Sequence, residues 1–172
     1  MSATTTERDQ AVALEAMNQY CQLGDPPPED AGYFALLTKT IFRAGLNWQV
    51  IENKWPAFEA AFARFDADAV ADYQEADADR LVADRSIVRN YKKILATIDN
   101  AVEIQKIRVE HGSFQHYLAA LARDGEGSMV KALSKRFAHL GESTSVTFLR
   151  SVGYEMPEHA LAWHRRHTAA RR

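Results

Sequence analysis

The sequence predicts an all-α protein, a single domain with two helical lobes. Apolar residues recur at three- and four-residue steps along nearly the whole chain, which is the period of an amphipathic helix. No segment shows the apolar–polar alternation of a half-buried β-strand. A length of 172 residues with 47% apolar and 26% charged residues suits one domain with a buried core. We expect one domain over 1–172, with one lobe from about 30–110 and the other from the N-terminal helix plus the C-terminal third.

Proline and glycine divide the first third of the chain into three predicted helices. The first covers 7–22 and ends at Gly24-Asp25-Pro26-Pro27-Pro28, because proline cannot donate a backbone hydrogen bond. Residues 1–29 therefore form a helix and a Pro-rich loop. Glu29 or Asp30 begins the second helix, which runs to Phe42 with a broad apolar face. The third helix follows Gly45 and carries an apolar stripe, made of Trp48, Ile51, Trp55, Phe58 and Phe62.

The remaining helices are predicted from their caps. Asp66 caps a short helix, and Asp77 or Asp79 begins another. A long helix follows from about 86 to 110 and ends at Gly112, since glycine favours the left-handed C-cap. The later predicted elements are a helix after Ser113, a helix at 129–137, a hairpin at 138–141, a helix at 142–152 and a last helix from Pro157.

Composition limits the compartment and the partners. No apolar run approaches the roughly 20 residues of a membrane span, and the N-terminus lacks the basic and apolar segments of a signal peptide. We therefore expect a cytoplasmic protein without a membrane partner. The single cysteine, Cys21, excludes a disulfide or a multi-cysteine zinc site within one chain. Residues 1–80 carry 6 basic and 14 acidic side chains, whereas 81–172 carry 15 and 9, so a polyanion would bind the second half unless this asymmetry is accidental.

The two helices within 129–153 have the layout of a helix-hairpin-helix element. The turn His139-Leu140-Gly141 would direct backbone N–H groups outward, next to the positive end of the following helix. Such a turn holds one phosphate without reading sequence. Ser143 and Thr144 would add hydroxyl donors, and Lys135 would add charge. The negative charge of Glu142 opposes phosphate binding at this turn. In addition, any αα-hairpin shows a similar sequence pattern.

An apolar turn separates the second and third helices. Ala44-Gly45-Leu46-Asn47-Trp48 places a leucine beside a glycine, where a solvated turn is normally polar. Leu46 either packs back into the core or projects to wedge into a partner. Trp48 either begins the apolar stripe of the third helix or offers a stacking surface.

Four blocks occur in a fixed order: Ala44-Gly45-Leu46-Asn47-Trp48, Ile87-Val88-Arg89-Asn90, Glu110-His111-Gly112-Ser113-Phe114 and the hairpin that ends at Gly141. Together they resemble the type I DNA-3-methyladenine glycosylases, a helical branch of the helix-hairpin-helix glycosylase superfamily, over about residues 30–160. The resemblance implies a base-excision repair enzyme that flips an alkylated base out of duplex DNA and hydrolyses its N-glycosidic bond. Two alternatives stay open, namely a catalytically impaired DNA-binding or lesion-sensing relative, and a helical interaction protein.

The resemblance also implies roles for individual residues. Gly45, Leu46 and Asn47 would plug the opened duplex, and Trp48 would stack on the flipped base. The turn His139-Leu140-Gly141, with Ser143, Thr144 and Lys135, would hold the DNA backbone. Tyr20 and Tyr33 are candidates for the wall of the base pocket, with ordinary burial as the alternative for both.

The chain departs from the family pattern at the base reader. The family reads the base with a glutamate where this chain has Thr40, and its aromatic-His-Asp segment corresponds to about Asn18-Gln19-Tyr20. Because threonine carries no negative charge, recognition of a cationic base would lose about 2–3 kcal/mol. Glu155 and Glu158 lie where other branches place a catalytic aspartate, although both also suit the solvated start of a helix.

The family's structural zinc is held by two cysteines and two histidines. Here His159 matches one histidine, but Trp163 replaces the cysteine that follows it, and both upstream ligands are missing. We therefore expect no metal and no other cofactor. The expected partner is double-stranded DNA, bound by a monomer.

Overall fold

The computed structural model describes residues 4–19 and 21–169, which are all-helical and contain no β-strand, as predicted. Ten α-helices lie in these ranges, with a single turn of 3-10 helix at Ala63–Phe65. Their bounds are α1 Thr5–Asn18, α2 Asp30–Arg43, α3 Trp48–Ala61, α4 Ala67–Ala71, α5 Glu75–Ala83, α6 Tyr91–His111, α7 Phe114–Ala122, α8 Glu126–Arg136, α9 Glu142–Ser151 and α10 Pro157–Ala169. None of the described helices is both long and apolar enough to cross a membrane.

The core is one continuous apolar cluster that extends from Tyr33 in α2 to Met156 before α10. Helix α6, with 21 residues, packs against α2, α4, α5 and α7 within this cluster. A second, small cluster joins α1 to α10 through Ala13, Met17 and Ala160. The core therefore does not divide near residue 110 as expected, and the smaller unit is the α1–α10 pair.

Caps explain where the observed helices differ from the predicted ones. Asp66 accepts from the backbone N–H of Asp68 at 2.9 Å and begins α4 as expected. Helix α5 begins earlier than predicted, because Gln74 is its N-cap and the Gln74 N–H donates to the Asp77 carboxylate at 3.0 Å. The long helix begins only after its N-cap Asn90, which accepts from a backbone N–H one turn later at 3.1 Å.

The Pro-rich loop is fixed against α9. The N–H of Gly24 donates to the Arg150 carbonyl at 2.9 Å. A Cβ on Gly24 would lie 2.1 Å from the Ser151 carbonyl oxygen, so only glycine fits this approach. The segment after α1 is thereby held beside the helix that follows the hairpin.

Candidate nucleic-acid interface and base pocket

The turn between α2 and α3 projects from the molecule. Gly45 has φ +75°, a conformation that glycine adopts without strain. Leu46 and Trp48 are each 41% exposed, so the leucine does not pack back into the core. Asn47 caps α3 by accepting from the Gln49 N–H at 2.9 Å. We call the segment 44–48 the tip.

A buried lysine supports the tip from below. The Lys93 side chain is 9% exposed, and its ammonium donates to the carbonyl of Ala44 at 2.8 Å and to that of Phe42 at 3.4 Å. These carbonyls end α2, where a positive charge is favourable. Burial lowers the pKa of Lys93. Helix α6 therefore holds the tip through one charged group.

The same helix supports the hairpin between α8 and α9. Asn100, 1% exposed, accepts from the Ala138 N–H at 2.8 Å and donates to the Ala138 carbonyl at 3.1 Å. Asn100 follows Lys93 by two helical turns, so the two supports lie about 10 Å apart on one face of α6. The next hairpin residue, His139, has φ +57°, which is uncommon for a residue other than glycine.

At the hairpin, backbone N–H groups rather than the Leu140 side chain are available for binding. Leu140 is 3% exposed, so its side chain belongs to the core. Gly141 precedes α9, whose first backbone N–H groups have no partners within the helix. Ser143 and Lys135 are exposed, and Thr144 is half-buried. Gly141, Ser143 and Thr144 thus lie at one helix N-terminus, whereas Lys135 lies in the last turn of α8.

A cavity of about 710 Å³ lies between α1, α9 and α10 and reaches Trp48 at the start of α3. This volume is within the usual range for small-molecule sites. The wall combines two tryptophans, aliphatic residues and several polar or charged groups. It consists of Met17, Cys21, Trp48, Val130, Glu142, Ser143, Val146, Thr147, Arg150, His159, Ala162, Trp163 and Arg166.

The structure brings Trp48 to the cavity but not the other described candidates for base contact. Tyr33 is 2% exposed and stacks on Phe114 at 5.1 Å, because its face of α2 is directed into the core. Thr40 is 5% exposed, and its hydroxyl donates to the Leu36 carbonyl at 2.7 Å. Tyr33 and Thr40 were predicted to contact the base, but both side chains lie in the core instead. Tyr20 lies outside the described residues.

The two predicted acids also lie away from the described cavity wall. The side chains of Glu155 and Glu158 are exposed, and neither contributes to that wall. The backbone carbonyl of Glu155 instead accepts from the Arg150 guanidinium. Glu142 is the one carboxylate among the described residues of the wall.

The most buried charged group in the wall is Arg150, which is 1% exposed. Its Nε donates to the Cys21 carbonyl at 3.1 Å, and its two terminal nitrogens donate to the Glu155 carbonyl and to Asn18 Oδ1. Burial raises the pKa of the Cys21 thiol, while the positive charges of Arg150 and Arg43 act in the opposite direction. Sequence reasoning did not identify Arg150, Lys93 or Asn100.

The residues at the family's zinc positions do not fit a metal ion. His159 Nδ1 lies 2.8 Å from Glu126, whose carboxylate also accepts from the backbone N–H groups of Glu158 and His159 at 3.1 Å each. Trp163 stacks on His167 at 4.3 Å. No group of three or more His, Cys, Asp or Glu side chains suited to a metal occurs in the described parts of the chain. Apolar packing between α1 and α10 occupies this region instead.

The helical architecture matches that of solved 3-methyladenine DNA glycosylase I structures. The chain belongs to the methyladenine glycosylase family, whose family model matches residues 17–147.

Relatives and solved structures agree with this family. The DNA-3-methyladenine glycosylase 1 of Escherichia coli K12 is 37% identical over 78 residues, which cover 45% of this chain and 42% of the relative. A tyrosine-to-phenylalanine variant of a 3-methyladenine DNA glycosylase I in complex with 3-methyladenine is similar at TM-score 0.69 and 28% identity, covering 80% of this chain and 84% of that one. A glutamate-to-glutamine mutant from Staphylococcus aureus gives the same values. The chain thus matches less than half the length of the E. coli protein.

Proposed function

We propose that this chain is a DNA glycosylase that flips a damaged base out of duplex DNA and hydrolyses its N-glycosidic bond. The observation that carries the proposal is the joint placement of Leu46 and Trp48. Leu46 projects from the tip, and Trp48, two residues later, lines a cavity of about 710 Å³. Alkylated bases are the first class to test, because the relatives are named for 3-methyladenine.

Each part of the site has a defined task in this reaction. Leu46 fills the space that the flipped nucleotide leaves, which keeps the base from returning to the stack. The N–H groups at the start of α9 bind a backbone phosphate and fix the register. Trp48 stacks on the flipped base inside the cavity. An alkylated cationic base leaves as a neutral molecule, so hydrolysis requires only modest assistance.

Glu142 replaces Glu155 and Glu158 as the candidate acid for this chemistry. It lies in the first turn of α9 and contributes to the cavity wall, unlike the other two. A carboxylate near the sugar stabilises the positive charge that develops as the bond to the base breaks. Glu142→Gln should therefore slow base release without weakening duplex binding, which single-turnover kinetics and equilibrium binding would separate.

Base release from duplexes that carry single lesions tests the function directly. The panel would contain alkylated, deaminated and oxidised bases, each with wild-type protein and with Leu46→Ala and Trp48→Ala. Val50→Ala is the matched control, because Val50 is also 41% exposed and belongs to the same helix as Trp48. We expect both test variants to lose at least about tenfold in rate, a barrier change of about 1.4 kcal/mol. Absence of release from every duplex would reject the proposal.

A lesion-sensing relative without catalysis is the second candidate. It is favoured by Thr40, whose hydroxyl donates within α2 and which carries no charge to read a cationic base. This candidate binds duplex DNA in a salt-dependent manner without releasing any base. In both cases we expect a cytoplasmic monomer that binds double-stranded DNA and loses affinity on Gly141→Asp.

A further inference from the structure

A cluster of exposed basic residues lies at the start of α6, next to the tip. Residues 85–93 contain four basic side chains and no acidic one. Lys93 is buried beneath the tip, whereas the other three basic side chains are exposed, together with a tyrosine that is 51% exposed. We call these four exposed residues the basic surface, and they are Arg85, Arg89, Tyr91 and Lys92. The basic surface is separate from the hairpin and from the cavity wall.

The backbone beneath the basic surface is held by contacts on three sides. The Lys54 ammonium on α3 donates to the Arg85 carbonyl at 3.0 Å and to the next carbonyl at 3.2 Å. Ile87 is 2% exposed and packs into the main core. Asn90 caps α6 by accepting from a backbone N–H one turn later at 3.1 Å. A ligand therefore meets charges on a fixed segment, which spares the cost of ordering a loop on binding.

Two of these contacts place the basic surface beside the tip. Lys54 belongs to the same helix as Trp48, and Lys93, next in sequence to the basic surface, donates to the Ala44 carbonyl at 2.8 Å. Asn100, which supports the hairpin, lies about 10 Å further along α6 than Lys93. The order along α6 is thus the basic surface, the support of the tip and the support of the hairpin. The basic surface and the hairpin lie on opposite sides of the support of the tip.

The charges of the basic surface are not neutralised within the protein. Arg85, Arg89 and Lys92 form no ion pair in the described parts of the chain. The acid that precedes them, Asp84, accepts from the N–H of Ser86 at 2.8 Å and from its hydroxyl at 2.5 Å. Clustered surface cations without partners attract a polyanion, and its bound counter-ions are released when the cations neutralise phosphates.

We propose that the basic surface binds backbone phosphates of duplex DNA on the side of the tip that faces away from the hairpin. This inference rests on the proposed function only in taking duplex DNA as the ligand. The basic side chains bind phosphate oxygens, and the Tyr91 ring packs on a sugar with its hydroxyl directed to a phosphate. The duplex is then held on both sides of Leu46, where it is opened. Because phosphate contacts carry no information about bases, binding at this surface does not depend on a lesion.

Salt-titrated binding of a variant with Arg85→Gln, Arg89→Gln and Lys92→Gln combined tests the proposal. The ligands are an undamaged duplex and the same duplex with one abasic-site analogue. The slope of log K against log salt should become shallower by about 2–3, since each lost phosphate contact accounts for about 0.9. Affinity at low salt should fall at least about tenfold for both duplexes. Each single substitution should reduce the slope by about 0.9, so the test does not depend on the combined variant folding.

The matched control removes the same number of positive charges elsewhere. Arg80→Gln, Lys106→Gln and Arg123→Gln combined change exposed residues on other parts of the surface, and we expect them to leave the slope unchanged. Equal losses in the two combined variants would show an effect of net charge alone and overturn the proposal. Tyr91→Ala should weaken binding at an unchanged slope, because the side chain carries no charge. Addition of Gly141→Asp to the variant of the basic surface should give additive losses, since different phosphates are contacted.

The outcomes distinguish this proposal from the glycosylase function. An unchanged slope in the folded variant of the basic surface, with base release by wild-type protein, overturns the phosphate contact and leaves the glycosylase function intact. A reduced slope without base release from any duplex of the panel supports the phosphate contact and rejects the glycosylase function. A wild-type chain that binds no duplex at low salt overturns both.

Discussion

Replacing Asn100 with alanine should destabilise the hairpin between α8 and α9. The side chain is 1% exposed and forms two hydrogen bonds with Ala138, at 2.8 and 3.1 Å. Each bond contributes about 0.5–1.5 kcal/mol, and both backbone groups of Ala138 lose their partner together. We expect the free energy of unfolding to fall by about 2–3 kcal/mol. For a chain of this length, the melting temperature should fall by about 4–12 °C.

The same substitution should weaken DNA binding beyond its effect on stability. Asn100 holds the turn that precedes Gly141, and in the proposed complex the start of α9 binds a phosphate. Asn100→Asp is a near-isosteric comparison, because it still accepts from the Ala138 N–H but cannot donate to the carbonyl. Asn53→Ala is the surface control, since Asn53 only accepts from exposed Gln49 at 2.9 Å.

Chemical denaturation and salt-titrated duplex binding measure the two effects separately. Binding would be measured at a temperature well below the transition of every variant, so that all samples are folded. A change for Asn100→Ala of less than about 0.5 kcal/mol, the range of ordinary surface substitutions, would refute the structural argument. Unchanged duplex affinity in a destabilised but folded variant would instead show that the hairpin does not contact DNA.

Three further predictions follow from buried or paired groups. Lys93→Met should slow base release, because the ammonium no longer holds the carbonyls that end α2, and Lys93→Arg should restore part of the rate at equal stability. Thr40→Val should leave base release unchanged, since the hydroxyl donates to Leu36, and a loss of release in kinetic assays would reinstate Thr40 as a reader. The hydrogen bond from Arg136 lowers the pKa of Glu110, so its contribution to stability is present above about pH 4.3, the usual value, and is lost as the pH falls through the lower folded value. Denaturation midpoints from neutral to acid pH should therefore fall less steeply for Glu110→Gln than for wild-type protein.

The helices could be predicted because their signals are local. Apolar periodicity and a cap lie within one or two turns of sequence, and Asp66 and Ser113 begin helices as expected. The errors arose where several residues compete for one cap. Helix α5 begins after Gln74, and Asn90 delays the start of α6. The boundary between lobes was wrong for a different reason, since the packing of α1 on α10 joins the two ends of the chain.

The candidate site was predictable only where its residues are adjacent in sequence. Leu46 and Trp48 form one short block, and both are exposed. The supporting groups depend on partners far along the chain, since Lys93 is separated from Ala44 by 49 positions and Arg150 from Asn18 by 132. Polar side chains at core positions of a helix were the one signal that sequence offered for these residues.

The tip and the hairpin are supported from the main core, whereas the cavity is bounded by both packing units. Lys93 and Asn100 support the tip and the hairpin from one face of α6, inside the main core. The cavity takes its wall from α9 and from Trp48 at the tip, as well as from α1 and α10, which pack mainly on each other. Because α1 and α10 have their own small core, a substitution at Trp163 should change the cavity wall without removing the Lys93 support of the tip. Retention of the turns proposed to contact DNA, together with a changed cavity wall on the side of α10, is the outcome that this arrangement favours.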